Sequence, residues 1–384
     1  MARLRPSSVA MLGGVALFAA LALGNGLDRL SATRPGAAQW VPGPLRAEAW
    51  RAEAARLLGA GDGAGATEMA TQAVRADPID PRSTALLGAG QLTDRKAVPA
   101  DRSFRVAARF GWRDPLTQIY FMNAGLAGGQ PRLAALRLDA VLRQAPFLPV
   151  RDMLFAEFEA TPERRAALAE RLAMKPSWTE SYLIRSGDLP LPTLQARAAI
   201  VASMKGPDWN CDTVEPLVTK LIGKGGIGDA KQLWLAQCSY ASPGIADPRF
   251  TRLRRNANPV AFEWNLADSG DVALTPGTSE GGLLARVSGP TSLPIAWQMI
   301  TPAPGRYRVS WTAQTASGGA AKGAGLSLSC VRNDRQALAA SDLGKGRFEA
   351  IVTIDGTCPG RYLTLWLAPG NEDVRFDSLA ISPL

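Results

Sequence analysis

The chain of 384 residues contains no histidine. That absence removes Ser-His-Asp and Cys-His nucleophile activation, imidazole metal ligation and proton shuttling by imidazole in one step. Basic residues are not concentrated either. The net charge is +9, and beyond residue 245 the chain carries 14 Lys and Arg against 12 Asp and Glu. The excess is arginine dispersed among carboxylates on the preceding helices, with no basic stripe interleaved with aromatics, so no nucleic-acid partner is expected. The glycine-rich stretch Gly223–Gly228 follows no strand and lacks the Gly-Lys-Ser/Thr ending of a phosphate loop; it reads as a turn. Asp268, Asp271 and Glu280 are too loosely spaced for a calcium loop of the EF-hand kind. No stretch proposes two carboxylates facing each other across a glycosidic bond. These absences favour a binding protein over an enzyme and imply no cofactor, a structural calcium ion in the C-terminal region remaining the one open alternative.

What the sequence holds begins with Arg3 and Arg5 ahead of an uncharged apolar run, Val9–Leu23, which can be extended from Ser7 to Leu27. A basic start before such a run directs export. The segment 1–30 is therefore a signal anchor, retained with its N-terminus inside, or a cleaved signal peptide. Retention is the expectation, because no clean Ala-x-Ala site follows the run. Either alternative places the rest of the chain outside the cytoplasm, as an inner-membrane-anchored protein with periplasmic domains or as a secreted or periplasmic one. Residues 31–44 hold Pro35, Gly36, Pro42, Gly43 and Pro44 with little periodicity, which suggests a linker.

From residue 45 to 243 the pattern is helical. Prolines close helical segments at Asp77-Pro78 and Ala145-Pro146, 68 residues apart, or two periods of about 34 residues. Trp50, Ala54 and Leu57 fall on a first helix and Ala66, Ala70 and Ala73 on a second; Phe121, Ala134, Leu138 and Val141 belong to a later copy. Small residues sit where helices would cross closely. This resembles the tetratricopeptide repeat family in degenerate form, and the resemblance implies an α-solenoid of stacked helical hairpins presenting a protein-binding surface. An irregular bundle of Ala-rich helices is the competing arrangement. Cys211 and Cys238 bracket the last hairpin, so antiparallel packing would join them, with two buried free thiols as the alternative.

After a second linker, 244–258, helical periodicity gives way to short alternating runs between Gly, Pro, Asn and Asp turns. Eight strands are expected: 262–266, 282–288, 295–300, 305–312, 325–331, 346–354, 361–367 and 373–382. They make residues 259–384 a two-sheet antiparallel sandwich. Phe262-Glu263-Trp264, Pro304-Gly305-Arg306-Tyr307 and Val374-Arg375-Phe376-Asp377-Ser378-Leu379-Ala380-Ile381 carry a resemblance to the jelly-roll, galactose-binding-like carbohydrate-binding modules. The resemblance implies glycan binding through exposed aromatics, although no binding position can be matched one by one. Alternation of two makes the aromatics core residues first. Trp297, Tyr362 and Trp366, with Gln298, Gln314, Arg332 and Asn333 as polar partners, form the candidate ligand face. Paired strands would also bring Cys330 and Cys358 together, and one bridge in each domain suits an oxidising compartment.

The expected molecule is thus α then β: an apolar helix, a tetratricopeptide-like solenoid and a jelly-roll sandwich in a Gram-negative-type envelope. Its expected role is that of a non-enzymatic scaffold or accessory protein contacting envelope proteins, in exopolysaccharide assembly or export. A glycan-binding protein is the second alternative and a glycan-active enzyme the third.

Overall fold

The computed structural model describes residues 6–183, 189–204, 211–238, 242–253, 260–277, 281–332 and 337–384. The chain divides into two compact units, Met1–Trp178 and Thr179–Leu384.

The first unit is helical. It opens with α1, Pro6–Ser31, whose side chains from Met11 to Leu23 are exposed and mostly apolar; by length and composition it can cross a membrane. Two 3₁₀ turns, Pro35–Trp40 and Gly43–Leu45, occupy the segment that reads as a linker. Eight helices follow: α2 (Ala47–Gly59), α3 (Gly63–Ala76), α4 (Pro81–Thr93), α5 (Ala97–Ala108), α6 (Pro115–Ala127), α7 (Pro131–Gln144), α8 (Arg151–Glu159) and α9 (Pro162–Leu172).

The even members α2, α4 and α6 begin at residues 47, 81 and 115, and the odd members α3, α5 and α7 at 63, 97 and 131, an interval of 34 in both series. Local chemistry sets these starts. Asp80 and Asp114 each accept from a backbone amide two or three residues on, satisfying a first-turn donor, and a proline with no amide to satisfy occupies the next position. Small residues then set the interhelical distances. A Cβ on Gly63 would lie 2.6 Å from the Asp94 amide nitrogen, and one on Gly90 2.8 Å from that of Thr67, so α3 and α4 cross at backbone contact. Ala66, Ala70, Ala73, Ala100, Ala107 and Ala134 are fully buried. The unit closes on Trp178, buried against Phe155, whose indole Nε1 donates to Asp139 at 2.8 Å.

The second unit contains four further helices as well as the sheets: α10 (Thr179–Leu183), α11 (Leu191–Ser203), α12 (Cys211–Gly223) and α13 (Ile227–Gln237). Gly225, at φ +86°, turns the chain between α12 and α13, and a disulfide joins Cys211 at the start of α12 to Cys238 at the end of α13. Helix α13 packs on the β-region: Trp234 lies 5.6 Å from Phe262, and a Cβ on Gly360 would meet both Met299 and Ile227.

Among the described residues ten strands follow: β1 (Asn265–Leu266), β2 (Val272–Pro276), β3 (Leu283–Val287), β4 (Leu293–Ile300), β5 (Gly305–Thr315), β6 (Ala324–Ser329), β7 (Ser341–Asp342), β8 (Arg347–Ile354), β9 (Arg361–Leu367) and β10 (Val374–Pro383). They form a four-stranded antiparallel sheet, β1-β4-β9-β6, and a six-stranded one, β2-β3-β10-β5-β8-β7. From β3 to β6 and again from β8 to β10 the chain alternates between the two sheets, the wrapping of a jelly roll. Two strands are additional to the eight expected. β2 is five residues ending in proline, and β7 is a two-residue edge. Inward-facing Ile295, Leu326, Leu363 and Leu365 of one sheet meet Leu283, Val309, Trp311 and Phe376 of the other in a single core, which Ile245 and Phe250 join from the segment before the first strand. A second disulfide links Cys330 and Cys358.

Candidate functional site

The residues singled out from sequence as a ligand face do not form one surface. Gln298 is fully buried: its side chain accepts from the Ala246 amide at 2.8 Å and donates to the Ala246 carbonyl at 3.1 Å, pinning the segment that enters the sandwich core. Fully buried, it presents no surface to a ligand. Gln314 lies on β5 in the six-stranded sheet, its amide donating to the Lys345 carbonyl, whereas Trp297, Tyr362 and Trp366 belong to the four-stranded one. Trp366 is 8% exposed and its Nε1 donates to Ser327 at 2.7 Å. Trp297 and Tyr362 are half-buried on the outer side of β4 and β9, and the Arg332 guanidinium sits 4.4 Å from the Trp297 ring. That stack occupies the face a sugar would need. Asn333 and Glu280 lie outside the described residues. Alternation of two cannot distinguish an outward aromatic that is open from one covered by a neighbouring loop, which is why the sequence offers Trp297 and Trp366 equally.

Three other surfaces have the shape or chemistry of a site. The first is a groove of about 520 Å³ between α7 and α9 in the first unit. Gly129, Gln130, Pro131, Leu133, Ala166 and Ala167 line it, with Leu133 41% exposed. Arg132 and Glu170 pair across it at 2.9 Å. Glu163, at the start of α9, is held below the usual carboxylate range by its backbone amide and by the Thr161 hydroxyl, so it is ionised at neutral pH. The lining has one cation, two carboxylates, an exposed leucine and small residues, and it contains no nucleophile.

The second is a cleft of about 230 Å³ at one end of the sandwich, where Thr315, Lys322, Asn371 and Glu372 surround the turns after β5 and β9. The third is the outer face of the six-stranded sheet. Because Val309, Trp311 and Ala313 point inward, Arg308, Ser310, Thr312 and Gln314 point outward, and strand pairing sets Glu349 beside Ser310 and Arg347 beside Thr312. Across β10, Arg375 and Asp377 continue the face opposite Gln314 and Thr312. Arg308 pairs with Glu349, while exposed Arg306 and Arg347 have no carboxylate partner among the described residues. Among the described residues, no group of three His, Cys, Asp or Glu side chains lies close enough to hold a metal ion.

Two buried ionisable groups are structural. Lys231 is 5% exposed, its ammonium donating to the Ser242 carbonyl at 2.8 Å and lying 4.5 Å and 4.9 Å from the Trp234 and Phe262 rings; burial pulls its pKa down to about 8. Asp114 is 3% exposed at the start of α6, and burial raises its pKa although Thr117 donates to it through both amide and hydroxyl.

No protein-family model and no curated protein matches the chain. Among solved structures, TmCBM61, a carbohydrate-binding module in complex with beta-1,4-galactotriose, aligns over 37% of this chain and 95% of its own at 14% identity, with a TM-score of 0.24. BtGH115A, a family GH115 4-O-methyl-alpha-glucuronidase with specificity for decorated arabinogalactans, aligns over 78% of this chain and 48% of its own at 9% identity, with a TM-score of 0.21. Likenesses this distant carry no argument about the chemistry of this chain.

Proposed function

We propose that the protein is a non-catalytic, membrane-anchored scaffold of the periplasm, whose helical unit takes a segment of an envelope protein into the groove between α7 and α9. The groove carries the reading: a lining that combines small residues with an arginine, two carboxylates and an exposed leucine suits an extended segment or a short helix. Helical hairpins recurring at 34 residues support a tetratricopeptide-like solenoid, whose exposed grooves serve protein binding. The apolar α1 and the two disulfides suit an anchored protein in an oxidising compartment. Assembly or export of exopolysaccharide is the process in which such a scaffold, joined to a jelly roll, has a place. Filling the groove with Ala166→Trp, at an exposed helical position, tests the reading: the full-length variant keeps its melting temperature and no longer co-isolates with the envelope partner of the parent. Unchanged co-isolation would remove the groove from the mechanism.

A second reading, glycan binding by the β-sandwich, is favoured by the outward face of the six-stranded sheet. Hydroxyls, Gln314 and the exposed Arg306 and Arg347, which have no carboxylate partner among the described residues, suit an acidic polysaccharide better than a neutral one. Electrophoresis of the full chain through gels containing acidic or neutral polysaccharide checks it. Retardation by the acidic gel alone, lost in Arg306→Glu/Arg347→Glu, supports the reading; free migration in both gels contradicts it.

A further inference from the structure

Helices α4 and α6 are each started by an aspartate, Asp80 and Asp114. One repeat interval earlier the corresponding residue, ahead of α2, is Arg46, which makes no side-chain cap. The carboxylate comes from elsewhere. Asp28, near the end of α1, accepts from the Glu48 amide through Oδ2 at 2.8 Å and from the Ala49 amide through Oδ1 at 2.9 Å. It is 5% exposed, and the Ser31 hydroxyl donates to its own carbonyl. The apolar helix therefore supplies the cap that the first repeat lacks.

The docking has a sharp beginning. Leu23 is 69% exposed, whereas Gly24 is buried, and a Cβ on it would stand 2.6 Å from Leu45 Cδ1. From Pro6 to Leu23, α1 extends about 27 Å at 1.5 Å per residue, close to the roughly 30 Å hydrocarbon thickness of a bilayer. Beside the docked end, the 3₁₀ turn Pro35–Trp40 exposes Trp40 at 71%, with Arg29 and Arg34 also open to solvent. An exposed indole and two exposed arginines, in the segment at and just after the docked end of the helix, match the lipid interface, where tryptophan rings sit at headgroup level and arginine meets phosphate.

We infer that α1 is an integral part of the first helical repeat and that the 3₁₀ segment carrying Trp40 rests on the phospholipid headgroups, so the helical unit is seated on the bilayer. This rests on the reading of α1 as a membrane anchor, and the test separates the two. The full chain, with nitroxide attached through Trp40→Cys or, six helices further along, Phe147→Cys, is first washed as membranes with carbonate and then placed in phosphatidylethanolamine/phosphatidylglycerol nanodiscs. Electron paramagnetic resonance then compares collision with oxygen and with a water-soluble nickel chelate. The expected result is membrane retention, a position-40 label shielded from the chelate, and a position-147 label accessible to it. Retention with both labels equally accessible overturns the seated surface and leaves the anchor standing; release by carbonate overturns both. A label shielded in membranes from cells but not in lipid-only nanodiscs would mean that a protein, and not lipid, covers Trp40, and also overturns the inference. For the cap, Asp28→Ala should speed hydrogen exchange at Glu48 and Ala49 by about fivefold, the loss of one helix cap. Arg46→Ala should leave both rates unchanged, and equal effects of the two substitutions would contradict the cap.

Discussion

A lysine held between two aromatic rings against a single carbonyl oxygen is costly while charged. Between about pH 8, where folded Lys231 titrates, and the ordinary lysine range near 10.5, the unfolded chain holds a proton that the folded chain does not. Raising the pH through that window therefore favours folding. Lys231→Met, which keeps the aliphatic stem, should raise the melting temperature of the second unit at pH 7, with the gain gone above pH 10; calorimetry at the two pH values checks both parts. A second residue-scale expectation concerns Cys330 and Cys358, which close a loop of 28 residues. Replacing both with serine should cost about 3–4 kcal/mol on the chain-entropy account, measured by denaturant titration. Gln298 shows how far sequence legibility extends at this scale. Its place in the apolar run from Ile295 to Ile300 puts it on a strand, but whether a strand glutamine meets a ligand or a backbone segment 52 residues away is decided by tertiary packing alone.

At the scale of elements, the helical hairpins were legible because their signals are local: aspartate, proline, then small residues at helical spacing. The cap on α2 was not, because it crosses 20 residues from another helix. Nor was the strand β2, five residues long. Helical periodicity also names no partner: α12 and α13 have the pattern of another repeat, yet Trp234 packs on Phe262 of the β-region. The Asp114 cap offers a test with a definite sign. Burial raises its pKa, so the folded state binds a proton more readily than the unfolded one, and the charged carboxylate costs stability at neutral pH. Asp114→Asn keeps an oxygen acceptor for the Thr117 amide without the charge. It should stabilise the first unit at pH 7, and the advantage should shrink as the pH falls and Asp114 itself takes up its proton. Thermal melts from pH 7 to pH 4 check this, and an advantage that grew towards acid would contradict it. Asp114→Ala removes the acceptor and should instead destabilise by about 1–2 kcal/mol.

The whole molecule joins an apolar helix to a helical unit and a mixed unit with a β-sandwich. The order of α before β was legible from the change in periodicity near residue 260, and the apolar N-terminal helix from the uncharged run. The candidate site was much less so, since a groove arises from the spacing of α7 and α9 and leaves no local mark on the sequence. Leu133, Arg132 and Ala166 are unremarkable as residues of amphipathic helices and matter only together. The central claim, that this groove receives a segment of an envelope protein, is tested most directly by a photo-crosslinking amino acid at Leu133 of the full chain in living cells. The account predicts a defined protein adduct from position 133 that disappears when Ala166→Trp is combined with it. Absence of any adduct at position 133, or an adduct that persists with Ala166→Trp, would contradict it.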